Sequence, residues 1–238
     1  MDIAHGIDQA CHRIRAACEI AGRSDSVALQ LAVKTRTSTE CAQAAHVLAD
    51  RGLPILLGHN RVQEAAATAE AIHAIPGARL HLIGPLQSNK VNHALRWVDG
   101  IDTIDRVDLI HRLNRRLTIL QTENPLPVLV QVNVSGEEAK SGCHEKDCPA
   151  LVDVITESAY LDFRGFMTVG LNSPEEGAVR KAYERLRTIR NATAAHLGQP
   201  EESLELSMGM SRDLEWAIAE GATIIRIGTA VFGARSAI

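Results

Sequence analysis

Eight short apolar runs, alternating with stretches of helical spacing, constrain this chain more than any other feature. The runs fall near 27–33 (VALQLAV), 53–57 (LPILL), 79–83 (RLHLI), 101–104 (IDTI), 127–134 (PVLVQVNV), 162–167 (DFRGFM), 203–208 (SLELSM) and 223–227 (TIIRI). Helices are predicted between them, near 38–51, 60–73, 88–98, 107–121, 145–159, 174–197 and 212–220. Another is predicted over 4–21, where Ile7, Cys11, Ile14 and Cys18 recur at three- and four-residue steps. Strand–helix alternation imposes parallel pairing, because each helix returns the chain to the same edge of the sheet. Eight such strands close a barrel, and 238 residues suit one. An open doubly wound sheet would bring a G-x-G-x-x-G turn after its first strand, where this chain has KTRTST. No linker-like segment or repeat divides the chain. The expectation is therefore one domain over residues 1–238, a (β/α)8 barrel preceded by an N-terminal helix.

Local signals agree. Thr37 with Glu40 reads as a capping box, and Asn60 with Gln63 has the same spacing. Ser211 precedes Asp213 and Glu215, acids suited to a first helical turn, and Gly221 suits the residue after a helix.

Composition excludes several roles. A net charge of −4 and 3% aromatic residues leave little to neutralise phosphates or stack bases, so no nucleic-acid partner is expected. No run of 18 apolar residues exists, so no membrane span is expected, and the N-terminus lacks the pattern of a signal peptide. Five cysteines without a C-x-x-C pair fit a reducing cytoplasm better than a disulfide framework. Cys143, His144 and Cys148 match no common zinc spacing, so no metal is expected. Without a long exposed apolar stripe, a monomer is the default. Only five of the 25 basic residues are lysines, which draws attention to each of them as an amine.

In such barrels the chemistry gathers at the C-terminal ends of the strands. Strand one ends at Lys34, where partial desolvation would free an amine to attack a carbonyl. The last two strands end in SMGMS and IGTAVFG, the position where barrels commonly hold phosphate. Small residues there let backbone N–H groups approach an anion. Gly209 and Gly228 could equally make turns, and Ser211 could simply cap a helix. A lysine with a phosphate site suits a phosphorylated carbonyl, either pyridoxal 5′-phosphate (PLP) or a sugar phosphate in an aldolase. Arg226 favours the first: an arginine facing a pyridine nitrogen would keep that nitrogen unprotonated. The bland alternative is an arginine paired with a carboxylate in the barrel.

The stretches GHNRVQE (58–64), HLIGPLQSNK (81–90), QVNVSGEEAKSG (131–142), RGFM (164–167), LSMGMSRDLEWAIAEGAT (206–223) and RIGTAVFGAR (226–235) closely resemble the pyridoxal phosphate homeostasis proteins of the YggS/PROSC family. The resemblance runs in order from about residue 28 to 235. It implies a barrel like the N-terminal domain of alanine racemase, and PLP held as a Schiff base on Lys34. Ser207, Gly228 and Thr229 would hold the phosphate, with Met208 and Gly209 beside them. Arg226 would face the pyridine nitrogen, and Asn60 would line the pocket. Lys140, in the K-S-G segment, would be a second amine near the cofactor or an ordinary loop lysine. Members look like carriers or buffers serving vitamin B6 homeostasis, with PLP-dependent apoenzymes as partners, and not like catalysts. The chain departs from the family in reading Val33-Lys34-Thr35 for S-K-T, one residue short, and Gly58-His59-Asn60 for G-E-N.

The alternative is a PLP-dependent racemase, which needs a second base opposite the lysine. Tyr160 is expected at the far end of the barrel and Tyr183 on its outer layer. His59 and His81 are expected near the mouth as ordinary polar residues.

Overall fold

A computed structural model describes residues 2–137 and 140–233. Motif positions Glu138, Ala139, Ala234 and Arg235 lie outside them. Helix α1 (Ile3–Ile20) is followed by β1 (Ala28–Ala32), α2 (Ser38–Asp50), β2 (Leu56–His59), α3 (Val62–His73) and β3 (Arg79–Leu82). Then come α4 (Val91–Ala94), β4 (Gly100–Ile104), α5 (Val107–Leu120), β5 (Leu126–Gln131), α6 (Cys148–Thr156) and β6 (Leu161–Met167). The chain continues with α7 (Glu176–Leu197), β7 (Glu205–Ser207), α8 (Leu214–Ala219), β8 (Ile224–Ile227) and α9 (Thr229–Phe232). The eight strands form a closed parallel barrel in sequence order. Closure is made by β1 on β8, with Gln30 opposite Arg226.

The alternation reflects two burial patterns. Strand residues such as Leu29, Leu31, Leu57, Leu80 and Leu82 are buried among the apolar stripes of the helices. Polar residues Gln30, Asp102, Ser207 and Arg226 are also buried, on the alternate positions of their strands. Helix α1 buries Ile3, Ile7, Ala10, Ile14 and Ala17 and packs on α8 and α9. Its Gly6 lets the two backbones meet: a Cβ there would lie 2.7 Å from Val231 Cα.

Several boundaries differ from the sequence reading. Strand β2 begins at Leu56, because Pro54 lacks the N–H that a ladder needs. The helix expected over 88–98 shrinks to a 3-10 turn, Ser88–Lys90, and the single turn of α4. Strand β5 stops at Gln131, and Val132 makes only an isolated bridge to Cys143. The Thr37–Glu40 capping box forms. Asn60 caps nothing: Arg61 occupies the N-cap of α3, without a side-chain hydrogen bond. Ser211 does not cap α8 either, since the helix starts after Asp213.

Candidate functional site at the C-terminal end of the barrel

Lys34 stands two residues beyond β1, half-buried. The turn that carries it is tight: the Arg36 N–H donates to the Val33 carbonyl at 3.1 Å, and Thr35 has φ 63°. A threonine in the left-handed region is strained, and the turn's hydrogen bond holds it there. No described residue accepts a hydrogen bond or ion pair from the Lys34 Nζ.

Strand β8 lies beside β1, so its following loop reaches the same edge. A Cβ on Gly228 would sit 2.9 Å from the Ala32 carbonyl oxygen, which packs the loop against the strand that leads to Lys34. Thr229 follows, exposed, as the first residue of α9. The first amides of a helix lack intrahelical partners.

Arg226 is 5% exposed and ties three strand ends together. Its Nη1 donates to the Ser207 hydroxyl at 2.6 Å and the Ser207 carbonyl at 2.7 Å, and its Nη2 donates to the Thr168 carbonyl at 2.5 Å. No described residue accepts from its Nε, and no described carboxylate lies within ion-pair distance. The carboxylate pairing considered from sequence is therefore not what the structure has. Burial lowers the guanidinium pKa, opposed by Tyr183, Asp102 and Asp213.

The loop after β7 is shaped by Gly209, whose φ is 92° and whose absent Cβ would lie 2.5 Å from Ala217 Cβ. Only glycine meets both demands. Asp213 braces the loop: its Oδ1 accepts the Met210 N–H and its Oδ2 the Tyr183 hydroxyl, each at 2.7 Å. Tyr183 stands mid-helix on α7 of the outer layer, as expected, with its side chain fully buried behind the loop. Burial, reinforced by Asp213, pushes its hydroxyl pKa upward.

The structure brings Lys34, Ser207, Gly209, Arg226, Gly228 and Thr229 to one end of the barrel. Asn60 joins them after β2 with an exposed side chain. Met208 differs: its side chain is buried in the hydrophobic core and its N–H donates to the Ile224 carbonyl. Lys140 donates to the Gly170 carbonyl at 3.1 Å and pairs with Glu137 at 2.8 Å. His59 and His81 both have other partners. His59 is buried, its Nε2 2.8 Å from the Thr68 hydroxyl of α3 and its Nδ1 3.5 Å from Glu64. His81 lies on β3 with its Nδ1 2.8 Å from Asp102 Oδ1. Sequence reasoning missed Thr168, Tyr183 and Asp213 as supports, because their role is set by packing between distant elements. Elsewhere, a shallow surface cavity of about 560 Å³ on α7 is lined by Glu176, Arg180, Glu184 and Glu220. Arg180 and Glu220 pair there at 2.8 Å.

Residues 7–236 match the model of the alanine racemase N-terminal domain family. A Pseudomonas aeruginosa protein named pyridoxal phosphate homeostasis protein is 38% identical, over 98% of this chain and 96% of that one. The chain belongs to the pyridoxal phosphate homeostasis family. The solved structure of PipY from Synechococcus elongatus with PLP bound is 29% identical, with a TM-score of 0.78, covering 98% of this chain and all of that one. Alanine racemase from E. faecalis, at 16% identity and a TM-score of 0.69, shares the fold, and this chain covers 58% of it. No helix among the described residues is long and apolar enough to cross a membrane.

Proposed function

We propose that the chain binds PLP at the C-terminal end of its barrel and carries or buffers it, with the cofactor held as a Schiff base on Lys34. The observation that carries this reading is the unengaged Lys34 amine at the strand end against which the Gly228 loop packs. The residues fit the group. The two small-residue loops hold no carboxylate between Ser207 and Ser211 or between Gly228 and Gly233, so nothing there repels a phosphate. Arg226 has an N–H without a protein partner, and three fixed hydrogen bonds hold its fork in place. When bound, PLP supplies an aldehyde for the lysine and an electron-accepting ring.

Lys34 would hold the cofactor covalently through its Nζ. Ser207, Gly209, Gly228 and Thr229 bind the phosphate through hydroxyls and amides. Met208 would contribute through the shape of the backbone it anchors in the core. Arg226 would face the pyridine nitrogen and disfavour a proton on it, because two adjacent positive charges repel. That leaves a weak electron sink, suited to storage more than to carbanion chemistry.

A carrier role has further support. A racemase needs a second base facing Lys34. The Tyr183 hydroxyl is committed to Asp213, Tyr160 precedes β6 at the opposite end, and His81 is engaged by Asp102. PLP-dependent apoenzymes are the partners we infer, and the free thiols, including Cys143 and Cys148 with sulfurs 3.7 Å apart, suit the cytoplasm.

Borohydride reduction of the PLP-loaded protein, followed by peptide mapping, tests the reading. The adduct is expected on Lys34. Bound cofactor with no adduct there overturns the assignment, and exchange of the alanine α-proton in deuterated water at an enzymatic rate favours the racemase alternative.

A further inference from the structure

The N-terminal helix lies outside the barrel, yet it touches both segments assigned above to the cofactor's phosphate. Gly6 brings α1 against α9: a Cβ there would lie 2.7 Å from Val231 Cα and 2.9 Å from the Val231 carbonyl oxygen. Two turns further along α1, Arg13 reaches the loop after β7 and the start of α8. Its Nε and Nη2 each donate to one carboxylate oxygen of Glu215 at 2.9 Å. Its Nη1 donates to the Ser211 carbonyl, also at 2.9 Å. Gly6 and Arg13 share one face of the helix, because seven residues make nearly two full turns. That face packs on α8 and α9.

Exposed ion pairs hold little, but a bidentate guanidinium–carboxylate pair is stronger because two parallel bonds fix one geometry. Here a third donor of the same fork is left to grip main chain. Among the described residues no other hydrogen bond reaches Ser211. The near end of the loop is fixed from inside the barrel, where the Gly209 carbonyl accepts the main-chain N–H of Arg226 at 3.1 Å. Between these anchors Asp213 takes the Met210 N–H. The loop is thus pinned at Gly209 by β8, at Met210 by the residue that opens α8, and at Ser211 by α1. Backbone donors bind an anion tightly only when they are already in place, since any freedom left in the loop must be given up on binding.

We propose that α1 is a strap across the phosphate-binding side of the barrel, and that Arg13 is its positioning residue. By holding the Ser211 end of the loop, Arg13 makes the chain grip the phosphorylated cofactor more tightly than the same aldehyde without phosphate. Arg13 acts through the loop and touches no part of the cofactor. The inference rests on the PLP reading above and adds to it the residue that sets the preference for phosphate.

The test compares the affinity of the full chain for PLP and for pyridoxal, which keeps the aldehyde and the ring but lacks the phosphate. Each is titrated by its visible absorbance, with borohydride trapping on Lys34 as the control for attachment. Arg13→Met keeps the aliphatic packing of the side chain and removes its donors. It is expected to raise the Kd for PLP by about tenfold, the size of a weakened hydrogen bond to a charged group, and to leave the Kd for pyridoxal unchanged. Arg13→Lys keeps the charge beside Glu215 but not the three-donor fork, and should move the ratio of the two constants the same way by less; it decides the matter if Arg13→Met does not fold. A general loosening of the barrel would weaken both ligands together, so an equal rise in both constants overturns the proposal, as does an unchanged ratio. A wild-type chain that binds PLP no better than pyridoxal also overturns it while leaving attachment at Lys34 intact. A wild-type chain that takes up neither ligand overturns the PLP reading itself, and the strap with it.

Discussion

His59 shows how one side chain takes its meaning from what surrounds it. In the family pattern its position reads as a carboxylate, and a histidine there suggests a polar group near a cofactor. The structure instead places the ring behind β2, against Thr68 and Glu64 of α3. Burial lowers its pKa from 6.5, with Glu64 opposing but not cancelling the effect. The folded state therefore keeps the ring neutral where the unfolded chain would protonate it. Stability is unaffected well above the unfolded pKa and falls as pH drops below about 6.5. His59→Gln should flatten that acid limb in a series of melting curves, and an unchanged slope would show that His59 does not contribute to it. Tyr183 belongs to the same scale. Tyr183→Phe leaves the Asp213 carboxylate short of one buried donor, which costs about 1–3 kcal/mol. A lower Tm with weaker retention of PLP on dialysis is the expected result, since the loop from Ser207 to Asp213 loses its brace.

Among the elements, α1 and α9 are linked most sensitively. The N-terminal helix is no appendage: it covers α8 and α9 and touches the latter backbone to backbone at Gly6. Gly6→Ala gains about 1 kcal/mol of helix propensity but drives a methyl to 2.7 Å from Val231 Cα. Backbone cannot yield as a side-chain tip can, and overpacking of this kind costs about 1–3 kcal/mol. The net expectation is a lower Tm, together with faster loss of PLP because α9 carries Thr229. A variant with unaltered Tm and retention would show that the two helices separate freely. Elements also mark how far a sequence can be read. Strand and helix identities were legible because burial imposes periods of two and 3.6. Ends were less so. The loss of most of the helix near 88–98, and the delayed start of β2, follow from a short connection and from Pro54, whose effects depend on the neighbouring strands.

For the whole molecule, binding and stability are linked. A ligand that binds only the folded state stabilises it by about 2.7 kcal/mol at a hundredfold excess over Kd. PLP should raise the Tm of the wild type, and Lys34→Ala should show a smaller rise because only the noncovalent contacts remain. An equal rise in both would place the covalent anchor elsewhere.

The sequence alone determined the eight-strand alternation, the barrel it closes into, and the residues gathered at the strand ends, because each of these is a local period or a spacing. It also presented Lys34 and the two glycine loops as candidates. Tertiary structure decided which side chains face one another. It turned Asn60 from a helix cap into an exposed residue at the mouth, aimed the Tyr183 side chain from the outer helix layer at Asp213 behind the loop, and set Gln30 against Asp102 across the barrel. It also gave Arg226 carbonyl and hydroxyl partners in place of a carboxylate. Those facts depend on closure, which brings together residues as far apart as 30 and 226, and no local pattern carries information over such distances.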